Sequence, residues 1–324
     1  MIRPIAAVVV AMATLCVSAL SSPARADCLL LCGSYTKTKY PIVLVHGAAG
    51  FDQLGPIDYF YGIPQALMSG GASVYVPQVS AINSTEVRGE QLLAQVQDIV
   101  AITGKPKVNL IGHSHGSPTA RYVAGVAPQL VASVTGVGGV NKGAAAADLA
   151  LGITDNALIQ AIGGDDIAFA VVDAILPILG ILTTGPLNMD ARASLQSLST
   201  AGSVAFNQRF PGGVPVTACG QGAASHNGIR YWSWSGDARG TGQITHPLDI
   251  LDAPLGIASV VFLGAANDGL VGSCSSHLGT VIRDNYYQNH LDEMNHLLGL
   301  ISPLTANPKS LFREHANRLK NAGL

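Results

Sequence analysis

Apolar and polar positions along the chain fall into blocks that switch between strand-like and helix-like spacing. Tyr40-Pro41-Ile42-Val43-Leu44-Val45 is a continuous apolar run ending at His46-Gly47. Its length and β-branched content predict a strand buried on both faces of a parallel sheet. Ser73 to Val76 predicts a second strand. Between Glu86 and Ile102, Val87, Leu92, Val96, Ile99 and Val100 recur near helical spacing. Lys107 to Ile111 reads as the next strand, runs into Gly112, and is followed by a helical stretch from Pro118 to Val126. Val131 to Val137 is a further strand, closed by Gly138 and Gly139. From about Ala144 to Leu182 the pattern turns helical and unusually apolar, which predicts an inserted cap or lid, about residues 144–190. Strand character returns at Gly228 to Trp234 and Ala258 to Leu263, and Ser310 to Leu319 reads as a closing helix. Strands alternating with helices predict an α/β fold, with a mainly parallel sheet and helices on both faces.

Two apolar runs fall outside this alternation. Arg3, the apolar stretch Ile5 to Leu20, the breakers Ser21-Ser22-Pro23 and the small-x-small triplet Ala24-Arg25-Ala26 have a signal-peptide layout. Residues 1–26 are therefore expected to be removed, leaving 27–324 as one secreted domain; the alternative is an uncleaved anchor. Leu15 before Cys16 makes a poor lipoprotein site. The second run, Ile167 to Leu182, carries Asp173 and Pro177 and is shorter than the roughly 20 residues a span needs. It reads as an apolar helix that covers something.

Composition narrows the classes. The 324 residues are 48% hydrophobic and 12% charged, which excludes disorder. Eighteen Lys+Arg against 20 Asp+Glu, with no long basic run, exclude a nucleic-acid binder. Low charge with a mean hydropathy of +0.35 suits an apolar surface. After loss of Cys16, Cys28, Cys32, Cys219 and Cys274 remain, an even number for an oxidising destination. Three connectivities are possible; local pairing, Cys28 with Cys32 and Cys219 with Cys274, is the simplest.

Gly112-His113-Ser114-His115-Gly116 matches the nucleophile elbow G-x-S-x-G, at the end of a predicted strand and the start of a helix. The turn must be tight enough to strain the serine backbone, and the flanking glycines let the strand meet the helix closely. A serine hydroxyl needs a base, and the base an orienting carboxylate, in chain order Ser, acid, His. Asp268 in Ala266-Asn267-Asp268-Gly269 has a loop-like setting. His277, His290, His296 and His315 follow it, and order alone does not choose between them. An oxyanion hole needs two backbone N–H donors. His115, after the nucleophile, offers one; the His46-Gly47-Ala48-Ala49-Gly50 loop offers the other at Ala48, with His46 expected to brace that loop.

Several longer segments carry a resemblance. These are Pro41 to Gly47, Gly112 to Gly116, Asn267-Asp268-Gly269-Leu270-Val271-Gly272, Arg283-Asp284-Asn285-Tyr286 through His290-Leu291-Asp292-Glu293, and His315-Ala316-Asn317-Arg318-Leu319-Lys320. Together they resemble the true lipases of Pseudomonas and Burkholderia, over about Tyr35 to Leu324. The resemblance implies an α/β-hydrolase fold, triacylglycerol lipase activity and the triad Ser114, Asp268, His290. It implies one structural Ca2+ held by the carboxylates of Asp249 and Asp292 and the carbonyls of His296 and Leu300, oxygen donors such as calcium prefers. It implies a Cys219–Cys274 disulfide, and it suggests a dedicated periplasmic folding helper before export. This chain departs from the family pattern at Ala48, where a bulky apolar residue is usual, so a wider acyl pocket is expected. It departs again at Ser117, which replaces a glycine. The expected substrate is a water-insoluble lipid ester at an oil–water interface. The alternatives are a carboxylesterase for short soluble esters and an inactive hydrolase-like lipid binder.

Overall fold

The structure, a computed structural model, describes residues 24–26, 33–51, 53–54, 57–152, 187–239, 252–296 and 298–324. Most of the predicted signal segment, Cys28, Cys32, the apolar run Ile167 to Leu182 and Asp249 lie outside the described residues. In chain order the strands are β1 (Ala24–Ala26), β2 (Ile42–Val45), β3 (Gln53–Leu54), β4 (Ile57–Asp58), β5 (Val74–Val76), β6 (Val108–His113), β7 (Val131–Val137), β8 (Ser225–His226), β9 (Ile229–Gly236) and β10 (Thr280–Tyr286). The α-helices are α1 (Ile63–Met68), α2 (Thr85–Thr103), α3 (Gly116–Val126), α4 (Ala145–Ala150), α5 (Ala191–Leu198), α6 (Thr200–Arg209), α7 (Asp252–Ala258), α8 (Ser273–Ser276) and α9 (Pro308–Asn321).

The main sheet runs β1-β5-β2-β6-β7-β9-β10. From β5 to β10 every pairing on this path is parallel, as the buried apolar runs predict. β1 is antiparallel to β5; it lies before the expected cleavage point, so processing there would leave β5 as the sheet edge. Alternate residues of one strand feed two cores. Ile42 and Leu44 of β2 pack with Phe60, Ile63, Trp234 and Phe312, beneath α1 and α9. Val43 and Val45 pack on the other face with Leu92, Val96, Ile99 and Val123, beneath α2 and α3. No helix among the described residues is long and apolar enough to cross a membrane.

One predicted strand is corrected. Ala258 to Leu263 is the end of α7 followed by a 3₁₀ turn over Ser259–Phe262. Asp252-Ala253-Pro254 is a helix-start sequence, and it outweighs the β-branched pair that follows. Val260 is 46% exposed, so that pair does not enter a sheet. The last parallel strand is instead β10, which mixes Arg283, Asp284 and Asn285 with apolar residues because it is an edge. Of the expected cap, Ala145–Ala150 is helical, and α5 begins just after its far limit.

Candidate active site

β6 ends at His113, and α3 starts at Gly116, so Ser114 and His115 form the turn between them. Ser114 has φ 54°, the left-handed conformation that a non-glycine residue adopts at a cost. The surroundings hold it there. Its N–H donates to the Val137 carbonyl at 3.0 Å, and its carbonyl accepts from Val140 at 3.2 Å. Close approach explains the glycines. A Cβ on Gly116 would meet the Val45 carbonyl oxygen at 2.1 Å, and one on Gly47 would meet Ser114 Cβ at 2.8 Å. Ser117 is buried and donates to Asn141 Oδ1 at 2.9 Å, which accommodates the departure from glycine.

Asp268 sits in a turn closed by the Asn267–Gly272 bridge. Its Oδ1 accepts the N–H groups of Leu270 (3.0 Å) and Val271 (2.8 Å). That leaves Oδ2 for His290 Nδ1, at 2.8 Å. The backbones are tied as well, His290 N–H to the Asp268 carbonyl at 2.8 Å. The other candidate histidines are engaged elsewhere. His277 bonds Asp284 (3.0 Å) and the Gly220 carbonyl (2.9 Å). His315 bonds Thr135 (2.8 Å). His296 stacks on the Tyr59 ring. Of the four histidines that chain order left open, His290 is the one bonded to Asp268.

The loop after β2 approaches Ser114 through Gly47. His46 accepts the Val79 N–H at Nε2 (3.3 Å), so Nδ1 carries the proton and donates to the Gly47 carbonyl (2.9 Å). Burial and the Arg88 charge lower its pKa to about 3, so it braces the loop as a neutral ring. Arg88 is fully buried, and its guanidinium donates to the carbonyls of His46 (2.6 Å), Gly47 (3.2 Å), Ala81 (3.2 Å) and Ser80. Burial lowers its pKa to about 9. Sequence spacing alone does not mark Arg88 as a site residue. The available signal was an arginine at the buried i, i+4, i+8 positions of α2, in line with Leu92 and Val96. Ala48 is half-buried in this loop, and the oxyanion donor expected on the other side, His115, caps α3 while its ring bonds Thr85 Oγ1 at 2.9 Å.

Two further residues escaped the sequence reading. Glu293 is fully buried, accepts the Gly236 N–H at 2.6 Å, and places Oε2 at 3.5 Å from His113 Nε2. Burial, then the charge of Asp268, pushes its pKa well above the ordinary carboxylate range. His113 bonds the Tyr59 hydroxyl (2.7 Å) and the His290 carbonyl (2.9 Å), and burial, then the nearby His290, holds it neutral.

Among the described residues, His113, His290 and Glu293 form a group that could hold a metal ion. Two imidazoles and one carboxylate suit a transition metal better than calcium, and both nitrogens of His113 are already hydrogen-bonded. Of the calcium residues expected from sequence, Asp249 lies outside the described residues, and Asp292, His296 and Leu300 follow His290 along the chain. Asp292 is fully buried and accepts the Asn289 N–H at 3.1 Å. Asn289 in turn donates through its side-chain amide to Asp252 at 2.6 Å, so one residue bridges two buried carboxylates, by its backbone N–H and its side chain. Carboxylate oxygens are donors of the kind calcium takes. His296 is buried and Leu300 half-buried on the same loop. Cys219 and Cys274 are disulfide-bonded across 55 residues, six positions beyond Asp268 in the second case.

A parallel sheet carrying a strained serine at a strand-to-helix turn, beside an aspartate–histidine pair, defines an α/β hydrolase. Residues 40–277 match the family described as alpha/beta hydrolase fold. A triacylglycerol lipase of Vibrio cholerae serotype O1 is 54% identical over 291 residues, covering 90% of each chain. One of Pseudomonas fragi is 45% identical over 89% of this chain and 98% of its own. One of Burkholderia plantarii is 39% identical over 90% of this chain and 88% of its own. Among solved structures, the mature Bacillus licheniformis lipase superposes with a TM-score of 0.58 at 18% identity, over 87% of this chain and 93% of that one. The chain belongs to the α/β-hydrolase-fold family and, within it, to the triacylglycerol lipases of the Pseudomonas and Burkholderia type, and it is a hydrolase.

Proposed function

We propose that the chain is a secreted lipase that hydrolyses triacylglycerols through a covalent acyl-enzyme. The observation that carries this reading is the 2.8 Å Asp268–His290 bond beside a serine held at φ 54°. Ser114 Oγ attacks the ester carbonyl carbon while its proton passes to His290 Nε2. Asp268 keeps the imidazole in the Nδ1–H tautomer and stabilises the imidazolium. The N–H groups of Ala48 and His115 receive the developing oxyanion. His290 then protonates the leaving alcohol. A water gives a proton to His290 and attacks the acyl carbon, and His290 returns that proton to Ser114 Oγ as the acyl–oxygen bond breaks and the fatty acid leaves.

The calcium that the resemblance implies would be held by Asp249, Asp292 and the carbonyls of His296 and Leu300. It would clamp the His290 loop without touching the ester. Removal of residues 1–26 on export, a periplasmic folding helper and work at an oil–water interface complete the reading. The apolar composition supports the last of these.

The test is hydrolysis of emulsified long-chain triglyceride against a soluble short-chain ester, each with and without a serine-directed phosphonate. Phosphonate-sensitive triglyceride hydrolysis is expected. Activity confined to the soluble ester would make the chain a carboxylesterase, and activity on neither would make it a lipid binder.

A further inference from the structure

A buried chain of hydrogen bonds runs through His113, the residue before Ser114, and joins the two loops that the proposed mechanism must keep in register. Gly47 N–H donates to Tyr59 Oη at 2.9 Å. Tyr59 Oη lies 2.7 Å from His113 Nδ1, and His113 Nε2 lies 2.9 Å from the His290 carbonyl oxygen. The direction of each bond is fixed. A carbonyl only accepts, so Nε2 of His113 carries the proton. The neutral ring then leaves Nδ1 as an acceptor for the Tyr59 hydroxyl. Every donor in the chain therefore points from the oxyanion loop towards the base loop.

Both ends of the chain act on groups that meet the reacting ester. At one end, Gly47 is held on both sides, its N–H by Tyr59 and its carbonyl by Arg88 at 3.2 Å. The Gly47–Ala48 peptide is planar and trans, so a fixed Gly47 carbonyl fixes the direction of the Ala48 N–H. At the other end, His290 is likewise held twice, its N–H by the Asp268 carbonyl and its own carbonyl by His113. His113 belongs to the elbow itself, one residue before Ser114, so the chain is joined to the backbone that carries the nucleophile.

We propose that Tyr59 and His113 are positioning residues that set the spacing between the oxyanion donor of Ala48 and the base His290. The proposal rests on the reading of Ser114 as nucleophile and His290 as base. Donor and base interact with charge that develops in the transition state rather than with the resting ester, so slack in the chain lowers kcat and leaves KM.

The full chain is tested with a soluble short-chain ester, and turnover is counted per active site titrated with a phosphonate. Tyr59→Phe removes one hydroxyl and keeps the ring, which packs on Phe51, Phe60, His113 and His296. Its kcat is expected to fall about tenfold, with KM within about twofold of wild type. His113→Gln keeps a donor near the His290 carbonyl and cuts the Tyr59 bond. Because it severs the same link, Tyr59→Phe added to His113→Gln should cost little more than either change alone. Turnover per titrated site within about twofold of wild type in Tyr59→Phe would overturn the proposal, as would multiplicative losses in the double variant. A lower melting temperature with unchanged turnover per site would make the pair structural only, and overturns it equally. Phosphonate labelling of the wild type is read first. If Ser114 is not the labelled residue, the mechanism beneath the proposal fails; if it is, a normal Tyr59→Phe rate removes the proposal alone.

Discussion

Ser114 and the oxyanion loop leave the ends of β6 and β2, which are hydrogen-bonded to each other in parallel register from Ile42 with Asn109 to Val45 with Gly112. β6 is also paired along its length to β7. Asp268 and His290 have no such support. Asp268 follows a 3₁₀ turn, and His290 follows an edge strand. They are fixed by turn bonds to the Asp268 carboxylate, by the Cys219–Cys274 link and by the Asn289 side chain. The half carrying the proposed nucleophile thus takes its geometry from the sheet, and the half carrying the proposed acid and base mainly from side-chain and covalent ties outside strand pairing. Changes in the first half should remove chemistry without touching the fold. Changes in the second half should loosen the site before the sheet melts.

The largest effect expected is on the nucleophile. Ser114→Ala should lower turnover by about 10,000-fold or more while the melting curve stays in place. A folded variant keeping about a tenth of the activity would remove Ser114 from the mechanism. Next in size is the covalent tie. Replacing Cys219 and Cys274 by Ala should cost up to about 4 kcal/mol in the chain-entropy model. On warming, activity should then disappear before far-UV circular dichroism changes. Coincident loss of the two signals would break the contrast between the halves.

Asn289 offers a finer cut. Its Oδ1 accepts the N–H groups of Leu291 and Asp292, both at 2.9 Å, and its Nδ2 donates to Asp252. Asn289→Ala leaves those buried groups without these partners and should cost about 1–3 kcal/mol. Hydrogen exchange should rise on the residues around His290 and stay unchanged in β2, β6 and β7. A uniform rise would show that the His290 loop is no softer than the sheet.

The same contrast explains what could be read from the sequence. The strands behind the nucleophile half are buried on both faces, so they appear as unbroken apolar runs, and the G-x-S-x-G turn falls at the end of one of them. Asp268 was placed after a strand that is a helix, because Val260 and Val261 have strand-like side chains in a segment that Asp252 and Pro254 start as a helix. β10 was missed because an edge strand carries charges. Choosing His290 among four histidines takes either the family resemblance or the Asp268 bond in the structure, since both residues sit on loops without a periodic pattern. Tyr59, Arg88, His113 and Glu293 act through buried polar contacts between segments far apart in sequence, which local spacing does not encode.

The last effect lies beneath the sheet-supported half and makes that half sensitive to acid. His315 of α9 reaches β7 through Thr135 Oγ1 at 2.8 Å, between the rings of Trp232 and Trp234. Burial, then the charge of Arg318, whose Nη1 lies 3.1 Å from Nδ1, lowers its pKa from 6.5 to about 3. The folded protein therefore takes up this proton later than the unfolded chain as pH falls. The stabilisation is fully present above pH 6.5 and drains away as pH drops towards about 3. Its slope approaches about 1.4 kcal/mol per pH unit. His315→Gln keeps an amide donor for Thr135 but cannot titrate, so it should flatten the fall in stability by that slope. The check is a set of urea midpoints for both proteins between about pH 7 and pH 4. His46, also held near pKa 3, leaves the variant with a slope of its own, so the difference between the two curves is the quantity to read. Parallel curves would mean that His315 takes up its proton at the same pH in the folded and the unfolded chain, and that the fall in stability with acid arises elsewhere.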